Sequence, residues 1–473
     1  MKKLIIACLI LILVTSAAYA VILPAGIFSD NAVLQQGVRV PVWGYADNGE
    51  RVTVSFQGQT VSCVAKDGKW MVRLAPLKPG GPFKMDISGS SSQTMELSNI
   101  LVGEVWVCSG QSNMQFPLSS ASNSLEAINS SENPKIRLYT VPMSASYTPV
   151  NDLRSRWMEC NPQDVTNFSA VGYFFGRSLQ KNLNVPVGLI NTSWGGTIAE
   201  AWTSPAGLAK LKDYSAWVAD ENAKKADGPN HPSVLYNAMI SPMIPYAIKG
   251  AIWYQGESNA GQAYKYRKLF PTMIQSWRDA WGEGNFPFLF VQLAPFMAIK
   301  DEPQESAWAE LREAQLLTTK TCPNTAMAVI TDVGDPNDIH PKKKEPVGDR
   351  LAIAARGIVY HQKIEYSGPI YKSMKINGNS VELSFDHIGS GLEAKDGDLK
   401  GFAIAGADKK FVFAQAKIDG DKVIVSSPQV PNPTAVRYGW ADCPVVNLYN
   451  KEGLPASPFR TDDFPMVTAP KAQ

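Results

Sequence analysis

A serine hydroxyl becomes a nucleophile when a nearby base can take its proton, and histidine, with a pKa of about 6.5, is the usual base near neutral pH. Pairings are few here, because the 473 residues include only four histidines. Ser112 stands in Gly110-Gln111-Ser112-Asn113. A glycine ahead of it can leave the hydroxyl exposed at a strand end, and the serine N–H can help bind an oxyanion. Alone, that tetrapeptide is equally an ordinary turn. His387 falls in a stretch of period-2 alternation, His361 follows a helical stretch, and His231 precedes Pro232 after a charged loop and ranks second. His340 is placed best, in Asp335-Pro336-Asn337-Asp338-Ile339-His340-Pro341, directly after an apolar run that ends at Thr331.

Two further segments carry hydrogen-bond donors. Asn191-Thr192-Ser193-Trp194-Gly195-Gly196-Thr197 has consecutive glycines, whose N–H groups can approach a ligand closely. In Trp253-Tyr254-Gln255-Gly256-Glu257-Ser258-Asn259, Gln255 or Asn259 can donate to a developing oxyanion. Glu257, placed in a crevice, needs a partner such as an imidazolium or an arginine. Each segment by itself also reads as a turn. Taken together, serine, glycines, amide and histidine are the parts of an acyl-transfer site. The sequence holds no His-Glu-x-x-His, no cysteine pair and no phosphate-cradling loop.

These segments each follow an apolar run of strand length. The runs are Val102–Cys108, Val187–Asn191, Gly250–Tyr254, Phe288–Leu293 and Ala326–Thr331, and helical patterns lie between them at Ala170–Lys181, Ala263–Ala280 and Glu305–Thr319. Such alternation predicts an α/β unit with a parallel sheet, whose ligands bind beyond the carboxyl ends of its strands. Residues 21–98 read instead as a small β-sandwich, with strands at Val38–Trp43, Arg51–Phe56 and Lys69–Leu74. The strand rhythm returns from about Ser367, at Ser380–Phe385, Gly401–Ile404 and Lys422–Val425. The expected units are 21–98, 99–366 and 367–473, the last either separate or joined to the first. Lys342-Lys343-Lys344 reads as a solvated loop.

Residues 1–20 have two lysines, an apolar run from Leu4 to Val14 and the small-residue ending Ala18-Tyr19-Ala20, the layout of a secretory signal cut after Ala20. Export to the periplasm or the exterior follows as an expectation. Lys+Arg is 45 and Asp+Glu is 43; without Lys2 and Lys3 the balance is 43 − 43 = 0. A neutral surface argues against nucleic acid or an anionic membrane as partner. Past Cys8 remain Cys63, Cys108, Cys160, Cys322 and Cys443, widely spaced and odd in number, which read mostly as small buried hydrophobes.

The segments GQSNM, NTSWGGT, WYQGESNA and Asp338-Ile339-His340-Pro341 resemble those of the SGNH-hydrolase superfamily, in particular its sialate O-acetylesterase-like branch. The similarity extends through Glu104–Leu118, Pro232–Asn259 and Arg437–Pro444. It implies an α/β fold with an SGNH-type, flavodoxin-like sheet core flanked by β-sandwich-like regions. It implies a serine esterase that removes O-acetyl groups from sugars without a cofactor. Ser112 would be the nucleophile and His340 the base and then the acid. The oxyanion would be held by the Ser112 N–H, an N–H at Gly195 or Gly196, and a side-chain amide, Gln255. The superfamily often places its acid three residues before the histidine, which here is Asn337. Asp338, Asp335, Glu257 or a backbone carbonyl is left to orient the imidazole. An acetylated sialic acid would call for an arginine facing its carboxylate, with Arg154, Arg177 and Arg267 as candidates, whereas acetylated xylan or pectin would need an open cleft. The rival from another class is a non-catalytic carbohydrate-binding protein that uses some of its 12 Trp and 16 Tyr for stacking.

Overall fold

The structure is a computed structural model that describes residues 22–90, 93–220 and 228–470. The expected signal segment, 1–20, lies outside the described residues. At the centre runs a path of seven strands: β1 (Thr94–Gly110), β2 (Asn133–Thr140), β3 (Trp157–Cys160), β4 (Val187–Ser193), β5 (Gly250–Tyr254), β6 (Phe288–Val291) and β7 (Thr325–Ala328). Their order is β3-β2-β4-β1-β5-β6-β7. Neighbours are parallel except at the edge, where β3 runs antiparallel to β2.

Period-2 alternation sorts the side chains of this sheet onto two faces. Trp106, Cys108, Ile252, Tyr254, Leu289 and Val291 enter one core, which α2 (Ala170–Leu183) and α5 (Glu345–Ile358) cover. Val105, Val107, Ala251, Trp253, Phe288 and Phe290 enter the other, covered by α3 (Ala263–Trp281) and α4 (Ala307–Thr321). Both faces are therefore dry, and each fully buried large side chain contributes on the order of 2 kcal/mol. That is why these strands read as unbroken apolar runs.

β2 does not read that way. It opens with Asn133-Pro134-Lys135 and buries Arg137, which pairs with Glu159 of β3 at 3.2 Å. For α5 the sequence shows only a helical stretch ahead of His361, without bounds; its buried face is built largely from Gly348, Ala352, Ala354 and Ala355, small residues that give a weak apolar pattern. Glycine at 348 lets α5 lie against α2, since a Cβ there would come within 2.6 Å of Phe174.

β1 belongs to two structures at once. Its first half pairs with Gly80–Gly89 and Val33–Gln35 of the N-terminal β region, and its second half pairs with β4 and β5. One continuous strand thus crosses the expected border at residues 98 and 99. The C-terminal strands enclose their own core, including Leu383, Ile404, Val425, Tyr438 and Phe459. Among the described residues no sheet joins them to the N-terminal strands, and no helix is long and apolar enough to cross a membrane. The five cysteines in the described residues are free, all but Cys63 being buried.

Candidate active site

At the carboxyl end of β1 the chain turns at Gly110, φ 140°, and Ser112 opens the one-turn helix α1 (Ser112–Gln115). A first-turn N–H has no acceptor within its own helix, so the Ser112 N–H is left to face outward. Beyond β7, residues 329–344 form a loop without regular secondary structure, folded by a bridge between Asp335 and Asp338. Its His340 Nε2 lies 2.8 Å from Ser112 Oγ, although 228 residues separate the two. Both residues are partly exposed.

None of the proposed orienting acids makes a hydrogen bond to the other ring nitrogen. Asp338 Oδ1 accepts the backbone N–H of His340 at 2.8 Å and stands 3.9 Å from Nδ1, an electrostatic contact beyond hydrogen-bond reach. Asp335 accepts the N–H of Asn337 instead. Glu257 is turned away to Asn113, whose Nδ2 donates to its Oε1 at 2.6 Å.

The glycines reach Ser112. A Cβ on Gly195 would fall 3.2 Å from Ser112 Cβ, and the Trp194 N–H donates to the Gly110 carbonyl at 3.1 Å, drawing the β4 loop against the serine turn. The two glycines are not equivalent. Gly195 N–H is taken by Gln115 Oε1 at 2.8 Å, whereas among the described residues nothing occupies the N–H of Gly196, an exposed residue at φ 72°.

Gln255 and Asn259 require a correction. Gln255 is 0% exposed, and its Nε2 gives both hydrogens to the interior, to the Thr197 carbonyl at 3.1 Å and Asn259 Oδ1 at 2.6 Å. Asn259 Nδ2 donates to Glu200 Oε2 at 2.9 Å, and its Oδ1 also accepts from the Ala199 N–H. Neither amide points at an oxyanion; the pair ties the β4 and β5 loops together from beneath. A turn motif identifies an amide but not its partners.

Two residues that the sequence reading passed over lie beside the dyad. Asn113 is buried, and Lys344, expected in a solvated loop, is 0% exposed with its Nζ donating to Asn113 Oδ1. Burial draws the Lys344 ammonium down to about 7 against the opposing pull of Glu257 and Asp338, and burial likewise pushes the Glu257 carboxyl up. His340 sits below its ordinary value because of burial first and the Lys344 charge second, with Asp338 opposing. That shift favours the neutral imidazole, the form able to accept a proton.

The other candidates are engaged elsewhere. His387 Nδ1 bonds Glu365 at 2.8 Å, and the His231 ring packs on Tyr147. Arg177 pairs with Glu345 and Arg267 with Glu313, while Arg154 is exposed. Among the described residues no group of three or more His, Cys, Asp or Glu is arranged to hold a metal ion.

Comparison with known proteins identifies the family. The family model described as carbohydrate esterase, sialic acid-specific acetylesterase, matches residues 102–356. Sialate O-acetylesterase of Mus musculus is 30% identical, covering 88% of this chain and 90% of the relative. The Homo sapiens enzyme of the same name is also 30% identical, over 92% and 91%. A carbohydrate acetylesterase from Xanthomonas citri, known from its crystal structure, is 41% identical with a TM-score of 0.87, covering 94% of this chain and 100% of that one. The chain is a carboxylic ester hydrolase and belongs to the sialic acid-specific acetylesterase family of carbohydrate esterases.

Proposed function

We propose that this chain is an exported esterase that hydrolyses O-acetyl esters of sugars, acetylated sialic acids foremost, through an acetyl-enzyme on Ser112. The observation that carries this reading is the 2.8 Å approach of His340 Nε2 to Ser112 Oγ. Neutral His340 takes the hydroxyl proton as Ser112 attacks the acetyl carbonyl. The N–H groups of Ser112 and Gly196 hold the oxyanion, each such donor being worth roughly 10²–10³ in rate. The imidazolium, steadied by Asp338, returns its proton to the departing sugar oxygen. Water then attacks the acetyl-serine by the same route.

Strand order supports an SGNH-type reading of the core. With β2 and β3 set aside, the parallel strands β4-β1-β5-β6-β7 run 2-1-3-4-5 in chain order, the flavodoxin-like order, and the serine stands at the switch point beside β1. We read the units as 21–98, 99–366 and 367–473, with β1 shared by the first two. Export rests on the sequence of residues 1–20.

One observation favours a second reading. Arg177 and Arg267 are neutralised by Glu345 and Glu313, which leaves only the exposed Arg154, of the three candidates, for a sialate carboxylate. Acetylated xylan, being neutral, needs no such cation. Acetate release from acetylated sialic acids, xylan and pectin decides between them: preference for the sialate supports the first reading, and activity on xylan alone rejects it. Phosphonate labelling of Ser112 tests the nucleophile, and labelling at any other residue would remove it from that role.

A further inference from the structure

Lys344 stands where helix chemistry disfavours it. It is the cap residue before α5, a place suited to Ser, Thr, Asp or Asn and one where the helix dipole opposes a cation. It has also left water altogether, unlike its exposed neighbours Lys342 and Lys343. Burying an ammonium is costly. A residue that breaks two local preferences at once is expected where function demands it.

Its contacts specify the demand. Nζ donates to Asn113 Oδ1 and lies 4.6 Å and 5.4 Å from the ring centres of Phe116 and Tyr254. Asn113 Nδ2 gives one hydrogen to Glu257 Oε1 at 2.6 Å and the other to the Ile339 carbonyl at 3.0 Å. The amide thus has its oxygen on a cation and its nitrogen on an anion and a carbonyl. Flipped, it would set its NH₂ against the ammonium. Asn113 directly follows Ser112, and Ile339 directly precedes His340. The amide bridges the two segments that carry the dyad, one residue away from each member.

We propose that Asn113, locked by Lys344 and Glu257, is a positioning residue that sets the separation of Ser112 and His340. This rests on the dyad reading above. The His340 loop has no helix or strand to stiffen it, and a misplacement of about 1 Å in such a pair costs on the order of 10²-fold in rate. Lys344 has a second effect through its charge. The groups facing the imidazole are Ser112, Asp338 and Lys344, and the titratable groups facing Lys344 are Glu257, Asp338 and Tyr254. At pH values where His340 gains its proton, below its ordinary 6.5, Lys344 is charged and repels that proton.

The test uses the full chain, p-nitrophenyl acetate and a thermal melt of each variant to establish folding. Asn113→Ala, the isosteric Asn113→Asp and Lys344→Met should lower kcat about 10- to 100-fold with KM within about twofold. The exposed Lys343→Ala should change neither. Lys344→Met should move the acid limb of kcat/KM to higher pH, and Lys344→Arg should keep it near the wild-type position. In the wild-type chain, which needs no variant, the limb should lie below about 6.5. Wild-type kcat in a folded Asn113 variant, an unmoved limb in Lys344→Met, or a wild-type limb at or above 6.5 would each overturn the proposal. Ser112→Ala in the same series separates the two ideas. If it stays active the dyad reading falls; if it alone is inactive, only the positioning role falls.

Discussion

A Cβ placed on Gly110 would sit 2.1 Å from the carbonyl oxygen of Tyr254. The same carbonyl accepts the N–H of Gln111 at 3.0 Å, so β1 and β5 are clamped at the point where the serine turn begins. Gly110→Ala is expected to destabilise the chain by more than about 3 kcal/mol, since it adds a backbone clash to an unfavourable φ. A chemical denaturation midpoint at the wild-type value would show that the turn tolerates a side chain after all.

Ser112 lies partly open to solvent, so losing its hydroxyl should barely affect folding. Ser112→Ala should reduce kcat by about 10⁴-fold or more while shifting the unfolding free energy by less than about 0.5 kcal/mol. Steady-state rates on p-nitrophenyl acetate, alongside a melt of the same sample, check both halves. Residual activity within tenfold of wild type would exclude Ser112 as nucleophile.

Asp338 is 3.9 Å from the imidazole Nδ1, and its charge raises the proton affinity of His340. Asp338→Asn keeps an acceptor for the His340 N–H but removes that charge. The acid limb of kcat/KM should therefore move to lower pH, opposite to the shift expected of Lys344→Met. The rate should fall by about tenfold rather than the roughly 10⁴ lost when an acid hydrogen-bonded to the imidazole is amidated. A limb that moves upward, or a loss near 10⁴, would refute this view of Asp338.

Gln255 donates inward, to Thr197 and Asn259. Gln255→Leu should cost about 1–3 kcal/mol of stability by leaving the Thr197 carbonyl and the Tyr266 hydroxyl unpaired, and should lower kcat by less than tenfold. A loss of 10²–10³ in kcat with stability intact would restore Gln255 as an oxyanion donor.

Arg312 of α4 is fully buried and donates to the carbonyls of Leu293, Ala294, Ala441 and Asp442 at 2.7–3.0 Å, fastening the C-terminal β unit to the end of β6. Burial lowers its guanidinium to about 9. Arg312→Met should destabilise by more than about 3 kcal/mol, and Lys should not rescue it, because a point charge cannot serve four carbonyls in a planar fork. Thermal melts and limited proteolysis of residues 367–470 would register the loosening; wild-type resistance in both would contradict it.

Much of the frame is written locally. Arg51–Phe56, Lys69–Leu74 and Gly250–Tyr254 were legible to the residue, and α3 within one residue at its end, because periodicity alone reveals which face a segment must hide. Ser112 and His340 could also be singled out as site candidates, a reactive type at a strand end and the best placed of four histidines, and the fold brings the two together. β2 was not, because its buried arginine looks like surface until Glu159 is brought alongside it.

The sequence by itself therefore determined which runs are buried, that the central strands lie parallel, and which alcohol and imidazole are available. The tertiary structure alone decided how the polar side chains are used: Gln255 turned inward, Gly195 engaged by Gln115, Lys344 enclosed beside Asn113. Apolar burial follows from a segment's own pattern, since the hydrophobic effect is non-directional and scales with area. A hydrogen bond is directional and short, so its outcome depends on a partner that the chain supplies from dozens to hundreds of residues away.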